Sequence, residues 1–254
     1  MTTGALIFAI NNGTIDYEAM AHWSAQNIQR HLGIATRIVT QNDVDQAPAS
    51  NRWFADFDTH MDWHNQSRAD AYDLSPWDRT LLLDADYVVA SDCLAPLLHS
   101  NLHILAHDRA HDITGVSDFA DQNSFGMYRM PMWWATVMIF DRSIEARLLF
   151  DSMRMIRQNW DHYRHIYHNP KDTFRNDHAL TTALGMINGH VLDHAAIPWS
   201  LASLLPQCEL SLVKTDHYRV TYENQGRRWW LDLEGQDFHA MGKRSLGDIV
   251  AGIN

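Results

Sequence analysis

Cysteine is scarce. Only Cys93 and Cys208 occur in 254 residues, in unrelated contexts. They make neither a disulfide framework nor a zinc ribbon, and they fit a reducing compartment. Long apolar runs are missing too. No stretch approaches the ~20 apolar residues that a bilayer span requires. The run Ala5 to Ile10 has no basic segment before it and is too short for a signal peptide. The expectation is a cytoplasmic protein with no membrane span. Positive charge is in deficit: 20 Lys and Arg against 31 Asp and Glu leave a net charge of −11. Such a chain is a poor candidate for non-specific nucleic-acid binding, although a local basic groove remains compatible with it. No repeat, low-complexity tract or Pro/Gly-rich linker divides the sequence. A single domain over 1–254 is expected, from whose body a tail beginning at about Thr215 could stand apart as a flap. Hydrophobic residues make up 46% and charged residues 20%, an ordinary globular balance. A chain of this length can bury ~70% of its surface, enough for a full core.

What is present alternates strand and helix. Ala5 to Ile10 reads as a strand buried on both faces. Thr14 then offers a helix cap, with Asp16 and Glu18 in the first turn. Tyr17, Met20, Ala21, Ser24, Ile28 and Leu32 follow at helical spacing, and Gly33 closes the helix. Ala35 to Val39 is the next strand. Arg68 to Leu74 is helical, Pro76 breaks it, and Thr80 to Leu83 is a second buried strand, with Tyr87 to Ala90 continuing extended. Leu102 to Ala106 and Thr136 to Phe140 are further strands. Ile144 to Asn159 is a long helix with a face of Ile144, Leu148, Ser152, Met155 and Ile156. Asn176 to Ile187 is a shorter one. The tail carries strands around Tyr218 to Tyr222 and Trp229 to Leu233, then Phe238 to Lys243, and a last helix from Leu246 to Ile253. This pattern predicts an α/β fold with a mainly parallel central sheet flanked by helices.

Asp84-Ala85-Asp86 is the most informative tripeptide. Residues i and i+2 of an extended segment share a side. Placed directly after Leu81-Leu82-Leu83, the two carboxylates face the crevice where α/β sheets bind ligands. Their repulsion calls for a cation, and Mg²⁺ or Mn²⁺ prefers such hard oxygens. A bare Asp-x-Asp is common and often only a solvated turn; its position after a buried strand favours metal binding. His239-Ala240-Met241-Gly242-Lys243 is the second signal. A histidine can supply a neutral nitrogen to a metal, Gly242 allows close backbone approach to a phosphate, and Lys243 supplies a point charge. Alone it would pass for a surface turn; with the upstream Asp-x-Asp it describes a metal–diphosphate clamp.

Together, Leu81 to Asp86, the Arg68-Ala69-Asp70-Ala71-Tyr72 helix, the Asn176-Asp177-His178-Ala179-Leu180 helix start and the late His-x-x-Gly-Lys resemble a glycosyltransferase of the GT-A fold. This is a Rossmann-like nucleotide-diphospho-sugar transferase fold. The order is similar to the retaining type that includes glycogenin and the bacterial lipopolysaccharide galactosyl- and glucosyltransferases, by motif over roughly Leu6 to Leu246. The resemblance implies that Asp84, Asp86 and His239 hold Mn²⁺ or Mg²⁺ on a nucleoside-diphosphate sugar, a UDP-sugar by preference. It implies that Lys243 and Gly242 contact the diphosphate. Ala9, Ile10, Asn11 and Asn12 with Tyr17 would hold the nucleoside, and Arg68 and Ala85 would lie near the diphosphate or donor sugar. Transfer to a hydroxyl would proceed with retention. The acceptor is a saccharide by preference, with a modified nucleobase or a protein as the other classes.

Asp177 also carries a physical argument. It lies three and seven residues before Leu180 and Leu184 and shares their inward face. It is read equally as a helix cap and as a catalytic acid near the donor sugar that stabilises oxocarbenium character or holds a hydroxyl; His178 could do similar work but points elsewhere on the helix. Other clusters read as bland. His162, His165 and His168 cannot easily share one metal on a helix. His107 and His111 read as a polar loop, and Asp118, Asp121 and Arg129 as a solvated one. Trp133-Trp134 and Trp229-Trp230 offer sugar- or base-stacking platforms, but one ring of each pair is expected to face the core, so at most one of each is free. Arg154, Arg157, Arg164, Lys171 and Arg175 make either a basic patch or a solvated face. Two other functions compete with a glycosyltransferase. A sugar-nucleotidyltransferase would need a basic, Gly-rich loop where Asn11-Asn12-Gly13-Thr14 stands. A non-catalytic sugar-nucleotide or carbohydrate-binding module would not need the metal ligands.

Overall fold

The computed structural model describes residues 1–11, 13–46, 67–169, 173–189 and 196–252. Asn12 and Lys171 therefore lie outside the described residues. In chain order the elements begin with β1 (Thr3–Phe8), α1 (Tyr17–Leu32), β2 (Ala35–Val39) and α2 (Gln41–Gln46). A 3₁₀ turn, Ser67–Asp70, leads into α3 (Ala71–Leu74), β3 (Arg79–Asp84), β4 (Tyr87–Val88), α4 (Ala95–Leu98), β5 (Ile104–His107) and β6 (Ala110–Asp112). Then come the short pair β7 (Ser124–Phe125) and β8 (Met130–Pro131), β9 (Trp134–Asp141), α5 (Ile144–Gln158), α6 (Trp160–Ile166) and α7 (Asn176–Ile187). The last part holds β10 (Leu201–Leu204), β11 (Glu209–Lys214), β12 (His217–Asn224), β13 (Arg227–Glu234), β14 (Phe238–Ala240) and α8 (Lys243–Val250).

The central sheet has the order β2-β1-β3-β9-β5. β1 pairs in parallel with both β2 and β3, whereas β9 runs antiparallel to β3 and β5. Four strands thus point one way and β9 the other. Leu81, Leu82 and Leu83 are fully buried, as are Ala5, Leu6 and Ile7 opposite them. That is why these stretches read as continuous apolar runs: both faces of the sheet are covered. A second sheet, β4-β14-β10-β6, joins residues from the middle and the end of the chain, and β11-β12-β13 form an antiparallel meander.

α1 is capped by Asp16, whose carboxylate accepts from the Ala19 N–H at 3.0 Å, rather than by Thr14. Gly33 ends it in the left-handed region (φ 66°) and donates to the Gln29 carbonyl. Two expectations about burial change. α5 buries Ala146, Leu149, Phe150, Met153 and Ile156, while Ile144 is 83% exposed. Both stripes have helical spacing. The helix turns toward the larger ring of Phe150, which packs 4.6 Å from Phe140 between ring centroids. His107 is no loop residue: it ends β5 fully buried, its Nδ1 2.9 Å from the Trp199 carbonyl. His111 sits in β6.

The arginines read as either a basic patch or a solvated face are dispersed into separate ion pairs. Arg154 and Arg157 both clamp Asp70, Arg164 pairs with Asp161, and Arg175 pairs with Asp177. No helix among the described residues is long and apolar enough to cross a membrane.

Candidate functional site

The site forms where the parallel strands end. Asp84 is the last residue of β3. Ala85 and Asp86 form the turn into β4, so the two carboxylates reach one pocket through a turn rather than along an extended strand. β14 pairs antiparallel with β4 in the register His239–Tyr87, and the Ala240 N–H donates to the Asp86 carbonyl at 2.9 Å. That pairing carries His239 to Asp86 from far along the chain. α8 begins three residues after the end of β14 and adds Lys243. Oxygens of Asp84 and Asp86 and a ring nitrogen of His239 lie within 4.8 Å of one another.

The charges are arranged asymmetrically. Asp86 is buried, with His239 Nε2 at 3.5 Å and the Lys243 ammonium at 3.4 Å. Burial alone would raise its pKa, but these two cations outweigh burial and hold the carboxyl well below the usual carboxylate range. His239 is raised in turn: burial opposes its charge, and Asp86 overcomes the opposition. Lys243 also rises against burial, through Asp86 and through the Tyr17 hydroxyl to which it donates at 3.0 Å. Asp84 goes the other way. Burial raises its pKa more than the neighbouring Arg68 lowers it. Arg68 is itself buried and donates both to the Ala135 carbonyl and to Asp84.

Two hard carboxylates and one imidazole converging on a point suit a divalent cation such as Mn²⁺ or Mg²⁺. His239 Nδ1 is buried without a hydrogen-bond partner. His239 therefore has donor capacity that the protein itself leaves unused.

The pocket in front of these residues has a volume of about 300 Å³. Tyr17, Ile10, Arg68 and Ala85 of the expected donor contacts line it, as do Asp177 and Lys243. Three others fall elsewhere. Ala9 is fully buried, its N–H bonded to the Val39 carbonyl at 2.9 Å. Asn11 is exposed and its Oδ1 accepts from the Glu18 N–H at 3.1 Å, so it serves the start of α1. Gly242 lines an adjoining groove instead of this pocket. A Cβ there would stand 3.2 Å from the Cys208 and Pro206 carbonyls, and this close approach accounts for glycine at that position.

Asp177 lies in the first turn of α7 with both carboxylate oxygens engaged. Oδ1 accepts from the Ala135 N–H at 2.9 Å and Oδ2 from Arg175 at 2.7 Å. Burial would raise its pKa; Arg175 and the Ala135 amide outweigh burial and keep it ionised. His178 lies outside the pocket, stacked on Trp160 at 15° and packed 4.9 Å from Phe125. The sequence reading missed Arg175, Phe8, Thr136, Asn176, Pro206 and Met241 as pocket residues. For Arg175 one signal was available: it directly precedes the helix that presents Asp177, two residues away.

No family model matches the chain, and no curated protein does. Its structure is similar to several solved ones at low identity. One is the apo form of the glycosyltransferase GlyE of Streptococcus pneumoniae, at 15% identity and a TM-score of 0.43, with 78% of this chain aligned. The chain spans only 45% of that protein's length. Another is the galactosyltransferase LgtC in complex with donor and acceptor sugar analogues, at 15% identity and a TM-score of 0.44, covering 71% of this chain and 70% of that one. A third is mouse xyloside xylosyltransferase 1, at 10% identity and a TM-score of 0.45, covering 75% and 84%.

Proposed function

We propose that this protein is a cytoplasmic, metal-dependent glycosyltransferase. It moves a sugar from a nucleoside-diphosphate sugar, with uridine as the preferred nucleoside, to a hydroxyl acceptor with retention of configuration. The observation that carries the reading is the convergence of Asp84, Asp86 and His239 within 4.8 Å, with Lys243 beside Asp86. A triad of metal ligands next to a lysine is what a diphosphate leaving group needs.

Each residue then has a task. Asp84, Asp86 and His239 would hold Mn²⁺ or Mg²⁺, which supplies positive charge to the departing diphosphate. Lys243, at the first turn of α8, adds a second positive charge beside the same oxygens. Tyr17 fixes the Lys243 ammonium by its hydroxyl and by its ring, 5.0 Å away. Arg68 orients Asp84 while its other bond anchors it to Ala135. Asp177, held ionised by Arg175 and the Ala135 amide, places a fixed negative charge in the pocket. There it stabilises the positive charge that grows on the sugar as the bond to the diphosphate lengthens. The acceptor hydroxyl bonds to the anomeric carbon, and its proton passes to the leaving diphosphate.

The test is a thermal-shift screen with nucleoside-diphosphate sugars, each with and without Mn²⁺. A ligand at 100 times its Kd stabilises the folded state by ~2.7 kcal/mol, a midpoint rise of roughly 5–10 °C for this length. A rise with one donor that requires the metal is expected. Folded protein that responds to none of the donors refutes the reading.

A further inference from the structure

Beside the donor pocket runs a second, larger depression of about 730 Å³, within the ~300–1,000 Å³ range of ligand sites. Pro206, Met241 and Lys243 line both, so the two are continuous. One wall is the start of α8, with Arg244, Ser245 and Asp248. The floor is one face of the β11-β12-β13 meander.

The strand register identifies that face. Glu209 pairs with Thr221, and Thr221 with Trp230, so the three form one row across the sheet. Arg228 lies two residues before Trp230 and shares its side. Glu209, Thr221 and Arg228 all line the depression. The opposite face carries Leu210, Tyr218, Val220 and Leu233, all buried. The centre of that side packs inward, its outlying Leu212 and Trp229 stay exposed, and the polar side turns toward the groove, which Leu210 also lines. Trp230 extends that side and is 63% exposed, an expensive placement for so large a ring. The Arg219 guanidinium covers one face of the ring at 4.6 Å, which leaves the other free.

Resting on the glycosyltransferase reading, we propose that this groove is the acceptor site and that its ligand is a saccharide. A pyranose has an apolar C–H face and a rim of hydroxyls. The free face of Trp230 matches the first. The exposed Arg228–Glu209 pair, 2.6 Å apart, matches the second, because a surface ion pair is worth little and opens readily toward hydroxyls. The charges also disfavour a nucleic-acid strand. Arg228, Lys243 and Arg244 are nearly balanced by Glu209 and Asp248, whereas phosphate binding needs a surplus of unpaired cations. A saccharide lying here presents its end to the donor pocket from the Met241–Lys243 side, where the diphosphate is held under the proposed function.

The test is retention of the purified protein on an array of immobilised oligosaccharides, with Mn²⁺ and a panel of nucleoside diphosphates present. A single-stranded oligonucleotide serves as the competing probe. Wild type is expected to bind a defined set of glycans. Trp230→Ala and Arg228→Ala should lose at least tenfold of that binding. Trp229→Ala, an exposed tryptophan on the other face of the same strand, should keep it. Wild type that binds no glycan, Trp230→Ala that binds like wild type, or equal loss in Trp229→Ala overturns the proposal. So does binding of the oligonucleotide alone. The donor-dependent thermal shift of Trp230→Ala separates the two readings, since that variant should keep the shift of wild type while losing glycan binding. Wild type without any donor shift would sink the donor reading and leave the glycan result standing.

Discussion

Asp86→Asn in the metal-free protein tests the electrostatics of the site before any substrate is known. The side chain keeps its shape and loses its charge. His239 and Lys243, 3.5 and 3.4 Å from it, then face each other without their shared counter-charge. Breaking a buried pair by removing one partner costs about 3 kcal/mol at the lower end of measured cases. Asp86 has a depressed pKa, so its stabilisation is complete above the unfolded carboxylate value and is lost only as pH falls below about 4. At pH 7 the whole difference should be present. A divalent ion at 100 times its Kd adds ~2.7 kcal/mol to wild type and nothing to the variant. The gap in urea denaturation should therefore grow from about 3 to about 6 kcal/mol when Mn²⁺ is added. A variant as stable as wild type in EDTA would refute the account of the cations. A gap that ignores Mn²⁺ would refute the metal ligation.

Two more outcomes follow from residues in and behind the pocket. Lys243→Met should leave metal-induced stabilisation in place and weaken binding of a nucleoside diphosphate ~10–100-fold, the worth of one charge-assisted hydrogen bond; isothermal titration with each ligand separates the two. His107, whose pKa is pushed by burial down to about 4, is neutral in the folded protein. Its share of stability is present above its unfolded value of about 6.5 and lost as pH falls toward 4, about 3 kcal/mol in all. His107→Gln should flatten the dependence of the urea midpoint between pH 6.5 and 4, and an unchanged slope would contradict the burial argument.

The buried strands and the Asp-x-Asp were legible because both depend on short-range pattern. Leu81 to Leu83 can be read as a strand without knowing its neighbours, and Asp84 and Asp86 inherit their position from it. His239 was legible only through its motif, since the β4–β14 pairing that delivers it spans most of the chain. Long-range geometry hid the rest. Arg175 reaches Asp177 because its backbone is extended just before α7, a dihedral no residue type announces. The α5 stripe was misread because two sets of apolar residues satisfy the same period, and only Phe140 across the interface decides between them. Trp229 and Trp230 were expected to share one buried ring. Both are open, at 49% and 63% exposure, because β13 is the edge strand of the meander and its whole first half, Arg227 to Trp230, is exposed.

The pairing of β14 with β4 also orders events in time. During synthesis the two acidic residues of the Asp84–Asp86 turn leave the ribosome long before the histidine and lysine that neutralise them. At 5–20 residues per second that interval is roughly 8–30 s. Throughout it Asp86 lacks both of its counter-charges, while Asp84 already has Arg68 beside it, and β4 lacks the strand that His239 brings to it. The first half of the chain can assemble β1, β2 and β3 while it waits. The Asp84–Asp86–His239 cluster cannot preform, and it closes only when the end of the chain returns to the middle. A ribosome that stalls before Phe238 would release a body with its sheet begun and its acidic cluster incomplete, a species that differs from the finished protein by the unpaired edge of β4.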